Sequence, residues 1–423
     1  MKKFTCLALT LVLCLTLCVP AWATESLNAG AVNILDKNLE EIEEKSLEKY
    51  NILLKTWSRN PDYPDDRNAD FPSFYGGAFI DDYKNLVIKV TEYNSSVEEY
   101  FADLIDLENV RFAHAECALI DLFEIQSQLN ERIVSLDNEN QQELVEGTGI
   151  SIADNCVNLY VQADTDEVRV ATAEDLSDIV ADLEHVQIIS RNMTNTADTV
   201  DSASTPKPLA QILLEPGEGI FIPGLDPADS YEYGIGFWAV DRSGNLGIVT
   251  AGHGTILSNI PAYCDDSLST LFGTVMYPVL FDASVDGCFI RRENSNINPI
   301  RYVGGWDFNL VSNNYYIMAE NASIYMRGPK TGCHSGVVYD VYFNPSAYKG
   351  DSYLQDAVLT TCYSRKGDSG GIVAGAGTSS NRYVVGIVSG GAFFENEETG
   401  EIIECMYYAK VAPILNELSL RVY

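Results

Sequence analysis

From Ile220 to Val388 the sequence loses helical periodicity almost entirely. Short β-rich runs alternate there with Gly, Asn, Asp and Ser turns, a pattern that predicts an all-β barrel or sandwich. Only the tail, Val411 to Leu420, returns to helical spacing. Upstream, the stretch Met193 to Pro208 is rich in Thr, Asn, Ser, Ala and Pro with almost no large apolar side chain, which is a linker composition. The chain is therefore divided near residues 191–210, with the β-rich half spanning residues 211–423.

The first half reads differently. From Glu25 to about Lys55, Leu39, Ile42, Leu47 and Leu53 recur at helical spacing among Glu and Lys, predicting a solvated amphipathic helix within an acidic segment at 24–70. Phe71 to Ile80 and Leu86 to Val90 alternate with period two around a turn and predict a hairpin. A long helix is expected from Val97 to Leu136, broken near Asn109. A second strand pair, Val157–Val161 and Glu167–Val170, and a helix starting near Thr172 complete one α+β unit over residues 71–190, distinct from the β-rich half.

Met1-Lys2-Lys3, the apolar run Leu7 to Val19 and Ala21-Trp22-Ala23 form the three parts of a secretory signal, with cleavage expected after Ala23. A lipoprotein reading centred on Cys18 is disfavoured by Leu17 before it. No later run approaches 18 apolar residues, so the mature chain is expected to be secreted and free of the membrane. Seven cysteines lie beyond Ala23, an odd number in an oxidising compartment, so at least one stays outside intrachain pairs. The net charge of -34 argues against nucleic acid and anionic membrane as partners.

Two stretches of the β-rich half carry chemistry. Lys366-Gly367-Asp368-Ser369-Gly370-Gly371 sets a serine among glycines, where positive φ and bare N–H groups let a substrate carbonyl approach. The N–H groups of Gly367 and Ser369 are the candidate oxyanion donors, and an ordinary hairpin turn is the alternative. Of four histidines, His114 and His185 fall in predicted helices and His334 in a turn. His253 ends a strand in Thr250-Ala251-Gly252-His253-Gly254, where small neighbours open the imidazole to space. The His and Cys spacings offer no ligand cluster, so neither metal nor organic cofactor is expected.

Thr-Ala-Gly-His followed by Gly-Asp-Ser-Gly-Gly resembles the histidine and serine motifs of trypsin-like serine peptidases, most closely the bacterial streptogrisin and α-lytic group. The resemblance covers residues 211–423. It implies a double six-stranded antiparallel β-barrel with a C-terminal helix and an Asp–His–Ser triad. It places the acid at the start of an apolar strand between the two motifs. Asp286 of Asp286-Gly287-Cys288-Phe289-Ile290 is preferred over Asp282, because the run after Asp282 meets another charge.

The resemblance further implies that Arg327 pairs with Asp368 to hold the oxyanion loop, and that Ser389-Gly390-Gly391 pairs with substrate backbone. It places Tyr363, Arg365 and Lys366 at the pocket wall without clear family counterparts. Aromatic, aliphatic and acidic preferences all remain open at this point. Gly254 and Met326 stand where the bacterial branch often has cysteines, and Cys362 with Cys405 is the favoured disulfide. The acidic α+β unit resembles, weakly, a pro-region that assists folding and occludes the cleft, with a separate binding or cell-wall contact domain as the alternative. The expectation is a secreted zymogen of a serine endopeptidase acting on proteins or peptides. The competing class is a catalytically inactive interaction or adhesion protein on the same scaffold.

Overall fold

The computed structural model describes residues 24–423 except 63, 65–66, 68, 136–144, 163–178, 181–182, 192–211, 225–229, 254–257, 283, 346–353 and 397–400. The expected secretory signal, the Glu167–Val170 strand, the helix near Thr172 and most of the linker lie outside the described residues.

The C-terminal half is built from two antiparallel β systems. In the first, Leu420–Val422, Phe237–Asp241, Leu246–Thr250, Val285–Arg292, Leu271–Asp282, Pro261–Tyr263, Gly219–Pro223 and Ser230–Gly234 pair in that order. They curl over a core of Ile220, Trp238, Ile248, Phe272, Val275 and Ile290. In the second, Asn381–Asn396, Ile372–Thr378, Ser323–Gly328, Gly332–Pro345, Ala357–Thr360 and Glu401–Lys410 pair in turn, and the last returns to the first. That ring is a closed six-stranded barrel, which removes its open edges. The first system departs from the expected six-strand closure: among the described residues it is a curled eight-strand path whose ends, Leu420–Val422 and Ser230–Gly234, do not pair with each other. The expected C-terminal helix is shorter than its periodicity, Val411–Glu417, and the chain leaves it as the strand that caps the first sheet.

The first half packs against the second. The helix Thr24–Trp57 buries Leu47, Tyr50, Leu53 and Leu54 in the same cluster that contains Met318, Ile324, Val358 and Val373 of the closed barrel. It is therefore a packed helix rather than a solvated one. Polar contacts fix its register. Asn51 accepts from Ile317 N–H at 3.0 Å and donates to Ile317 O at 2.9 Å, and Glu40 pairs with buried Arg382 at 3.0 Å. The barrel strand Gly332–Pro345 is long enough to outrun its barrel partners. Its free end pairs with Val145–Ser151 through Asn344–Thr148 and Pro345–Gly147, extending one sheet through Cys156–Gln162 to Val186–Arg191. Pairing that edge satisfies backbone groups that otherwise template association.

The expected 97–136 helix is interrupted by more than a break. Ser95–Ala102, capped by Asn94, is followed by the strand Val110–His114 and then by the helix Leu119–Val134. Asn109 takes φ of 56° and turns the chain into the strand, which pairs in parallel with Leu86–Val90. His114 therefore sits on a strand, and His185, at φ of 59°, in a turn before Val186–Arg191 rather than in a helix. Among the described residues no helix is long and apolar enough to cross a membrane.

Candidate active site

The site forms where the two β systems meet. His253 follows the strand Leu246–Thr250, Asp286 is the second residue of the strand Val285–Arg292, and the register between these strands sets Thr250 opposite Cys288. That register brings the two side chains together. His253 Nδ1 lies 2.8 Å from Asp286 Oδ2, and His253 Nε2 lies 3.0 Å from Ser369 Oγ. Asp282 ends the preceding strand in register with Val285.

Asp286 is fully buried and is held by four donors. Oδ1 accepts from the N–H groups of Gly252 at 2.9 Å and His253 at 2.8 Å, and Oδ2 accepts from Ser389 Oγ at 2.7 Å as well as facing the imidazole. Burial pulls the His253 pKa down, but the charge and hydrogen bond of Asp286 outweigh it, so the imidazole titrates above its usual range.

Ser369 sits in a loop shaped by two glycines. Gly367 takes φ of 100° and Gly370 φ of 85°. A Cβ at Gly370 would meet Thr250 Oγ1 at 2.1 Å and Gly234 O at 2.6 Å, so only glycine lets the loop close against the first sheet. The loop spends its other N–H groups internally: Asp368 N–H donates to Arg365 O, Gly370 N–H to Val388 O and Gly371 N–H to Asp368 O. Among the described residues the N–H groups of Gly367 and Ser369 donate to no other group, which suits them to bind a developing oxyanion.

Two expectations are corrected by the contacts. Arg327 does not pair with Asp368. Its guanidinium donates to Glu215 Oε2 at 2.7 Å and to Pro216 O at 3.1 Å. Buried Asp368 is held instead by backbone donors: Oδ1 accepts from Lys330 N–H at 2.8 Å and Thr331 N–H at 3.0 Å, and Oδ2 from Arg365 N–H at 2.8 Å. The Ser389 side chain turns to Asp286. Cys362 and Cys405 are not bridged: Cys362 packs in the core shared with the first half, and Cys405 in the core beneath the helix Val411–Glu417.

The remaining predicted residues border the loop. Gly390 O accepts from Ser364 Oγ at 3.2 Å, Gly390 lies against the phenol of Tyr407, and Gly391 approaches Ser364. Tyr363 lies against His334 with ring centres 4.0 Å apart and ring planes tilted by 58°. Ser389 as a partner of Asp286, and Glu215 as a partner of Arg327, were not found from sequence. Each pairing crosses more than a hundred residues, and no local signal marks it. Among the described residues no cluster of His, Cys, Asp or Glu could hold a metal ion.

Residues 31–116 match the family model described as a Pro-like N-terminal domain. No curated protein matches the chain in sequence. Among solved structures, the chain is similar to a Nocardiopsis protease at 19% identity with a TM-score of 0.38, over 50% of this chain and 99% of that one. It is similar to a Cellulomonas bogoriensis chymotrypsin at 21% identity and a TM-score of 0.37, over 50% and 99% of the two chains. A third structure, of a glutamic acid specific serine protease described as using a histidine triad in substrate binding, matches at 22% identity with a TM-score of 0.39, over 50% and 100%.

Proposed function

We propose that residues 211–423 form a serine endopeptidase made as a secreted zymogen, with residues 71–190 as its pro-region-like domain, the acidic helical segment 24–70 before it, residues 1–23 as a signal and residues 191–210 as the linker. One observation carries this reading: an imidazole 3.0 Å from a serine hydroxyl and 2.8 Å from a buried carboxylate, beside a loop with two uncommitted N–H groups.

In this reading His253 Nε2 takes the proton of Ser369 as Oγ attacks a peptide carbonyl. Asp286 fixes the tautomer with the proton on Nδ1 and stabilises the imidazolium that forms. The carbonyl oxygen, becoming anionic, is received by the N–H groups of Gly367 and Ser369. His253 then gives its proton to the leaving amine, and water hydrolyses the acyl-enzyme by the same groups in reverse. Protein or peptide chains are the substrates, and the Pro-like domain match supports assigning the first half to the zymogen.

Fluorophosphonate labelling of the purified chain tests the proposal. Labelling at Ser369 that is abolished by Ser369→Ala and by His253→Ala supports it. A chain with no labelling and no peptide turnover, before or after removal of residues 24–190, is an inactive scaffold instead.

A further inference from the structure

We infer that Glu215 is a positioning residue for the oxyanion loop, fastening Arg327, and through it the turn that holds Asp368, to the opening segment of the catalytic half. The inference rests on the peptidase reading of Ser369.

Asp368 depends on the turn after the strand Ser323–Gly328, since two of its three donors are Lys330 N–H and Thr331 N–H. The approach is close: a Cβ at Gly328 would meet Asp368 Oδ1 at 2.3 Å. A shift of residues 327–331 therefore moves Asp368, and with it the flanking N–H groups of Gly367 and Ser369. Among the described residues no side-chain cation reaches Asp368; strand pairing of Arg327 with Cys333 and Gly328 with Gly332 closes the turn, and side chains tie it to the opening segment of the catalytic half.

Glu215 supplies that hold. One oxygen, Oε2, accepts from Arg327 Nη1 at 2.7 Å and from Gly304 N–H at 3.2 Å. The same guanidinium nitrogen donates to Pro216 O at 3.1 Å, and the aliphatic stem of Arg327 packs on Gly217, whose φ of 86° lets the backbone come this near. The pair is about a fifth to a quarter exposed, 19% for Arg327 and 26% for Glu215, so solvent screens it only in part.

The segment also reaches the nucleophile from the opposite side. Gly217 N–H donates to Ile235 O at 2.6 Å, Ile235 N–H to Glu218 O at 2.7 Å, and the adjoining Gly234 N–H to Ser369 O at 2.6 Å. Residues 215–218 thus brace the loop twice, at Asp368 through Arg327 and at Ser369 through Gly234. Loosening this brace misplaces donors whose work is done in the transition state, so it lowers kcat and leaves ground-state binding nearly intact.

The test uses the full chain after processing, with Glu215→Gln, Arg327→Met, the double variant and the conservative Glu215→Asp. Expected are a fall in kcat of about tenfold for each single variant with KM within about twofold, a double variant no worse than the singles, and partial recovery in Glu215→Asp. If Glu215→Gln fails to fold by its thermal transition, Arg327→Lys takes its place, because it keeps the charge but cannot bridge Glu215 and Pro216 O together. Unchanged kcat in Glu215→Gln, or in Arg327→Lys where it substitutes, overturns the inference, as does a loss confined to KM. Absence of fluorophosphonate labelling in the unaltered chain would instead remove the peptidase reading beneath it.

Discussion

Ser389 Oγ donates to Asp286 Oδ2 at 2.7 Å, on the same oxygen that faces His253 Nδ1. The strand Asn381–Asn396 thereby helps to orient this carboxylate. Replacing Ser389 by Ala removes one charge-assisted donor from a fully buried carboxylate, which costs about 1.5–3 kcal/mol. The expected outcome is a lower unfolding midpoint with kcat reduced less than in Asp286→Asn, read by thermal denaturation and steady-state turnover.

Asp286→Asn is expected to lower kcat by about four orders of magnitude, because the amide presents the wrong hydrogen-bond partner to Nδ1 and the reactive tautomer is lost. Asp282→Asn is expected to leave turnover within a factor of about two. Single-residue kinetics on the two variants decide between the acids; a crippled Asp282→Asn would reverse the assignment.

The pH dependence is set by His253. The base acts when neutral, and its folded pKa stands above the ordinary imidazole value, so kcat/KM should rise through a limb above about pH 6.5. For stability the sign is opposite. The pairing of imidazolium with Asp286 contributes fully below the unfolded value and fades as pH climbs through the folded one. In Asp286→Asn the raising influence is gone and burial remains, so the residual activity limb should move to lower pH. A limb that stays put in that variant would show that another group titrates.

Glu320 offers a second pH test, away from the chemistry. It belongs to the C-terminal half but lies against the turn Ser151–Ala153 of the first half, where Ile152 N–H, Ala153 N–H and Ser151 Oγ reach its carboxylate. Burial, reinforced by Asp340, pushes its pKa up to about 8. The folded chain therefore holds a proton that the unfolded chain releases near pH 4.5, and stability should decline between those values and level off above pH 8. Glu320→Gln removes the titration; it keeps one acceptor oxygen and turns an NH2 group toward a backbone donor, a cost that does not vary with pH. Urea midpoints of Ser369→Ala, with and without this change, are expected to diverge as pH rises from 5 to 9.

Asp368→Asn exchanges an acceptor for an amide whose N–H group confronts backbone donors. At least one of the Lys330, Thr331 and Arg365 N–H groups loses its bond, at about 1–3 kcal/mol. Turnover should fall at least tenfold as Gly367 and Ser369 lose their footing, with a matching drop in the rate of fluorophosphonate labelling.

Much of this architecture was legible before any coordinates. A histidine at a strand end among small residues and a serine among glycines are local statements, because positive φ at Gly367 and Gly370 must be written into the residues that adopt it. The same holds for the switch from helical spacing to short β runs near residue 211. Local signals misled where a tertiary surface overrode them. Val110–His114 became a strand because Leu86–Val90 offered it an edge, and the apolar face of the helix Thr24–Trp57 was taken up by the closed barrel.

What the amino-acid order determined by itself was the set of candidate groups and the backbone able to present them. Which groups meet was decided only by strand register and sheet closure. His253 and Ser369 are 116 positions apart, Asp286 and Ser389 are 103, and Glu215 and Arg327 are 112. No local rule spans such intervals. A register slip of a single residue turns a side chain to the opposite face of its sheet, so these pairings exist only once the folded strands have chosen their neighbours.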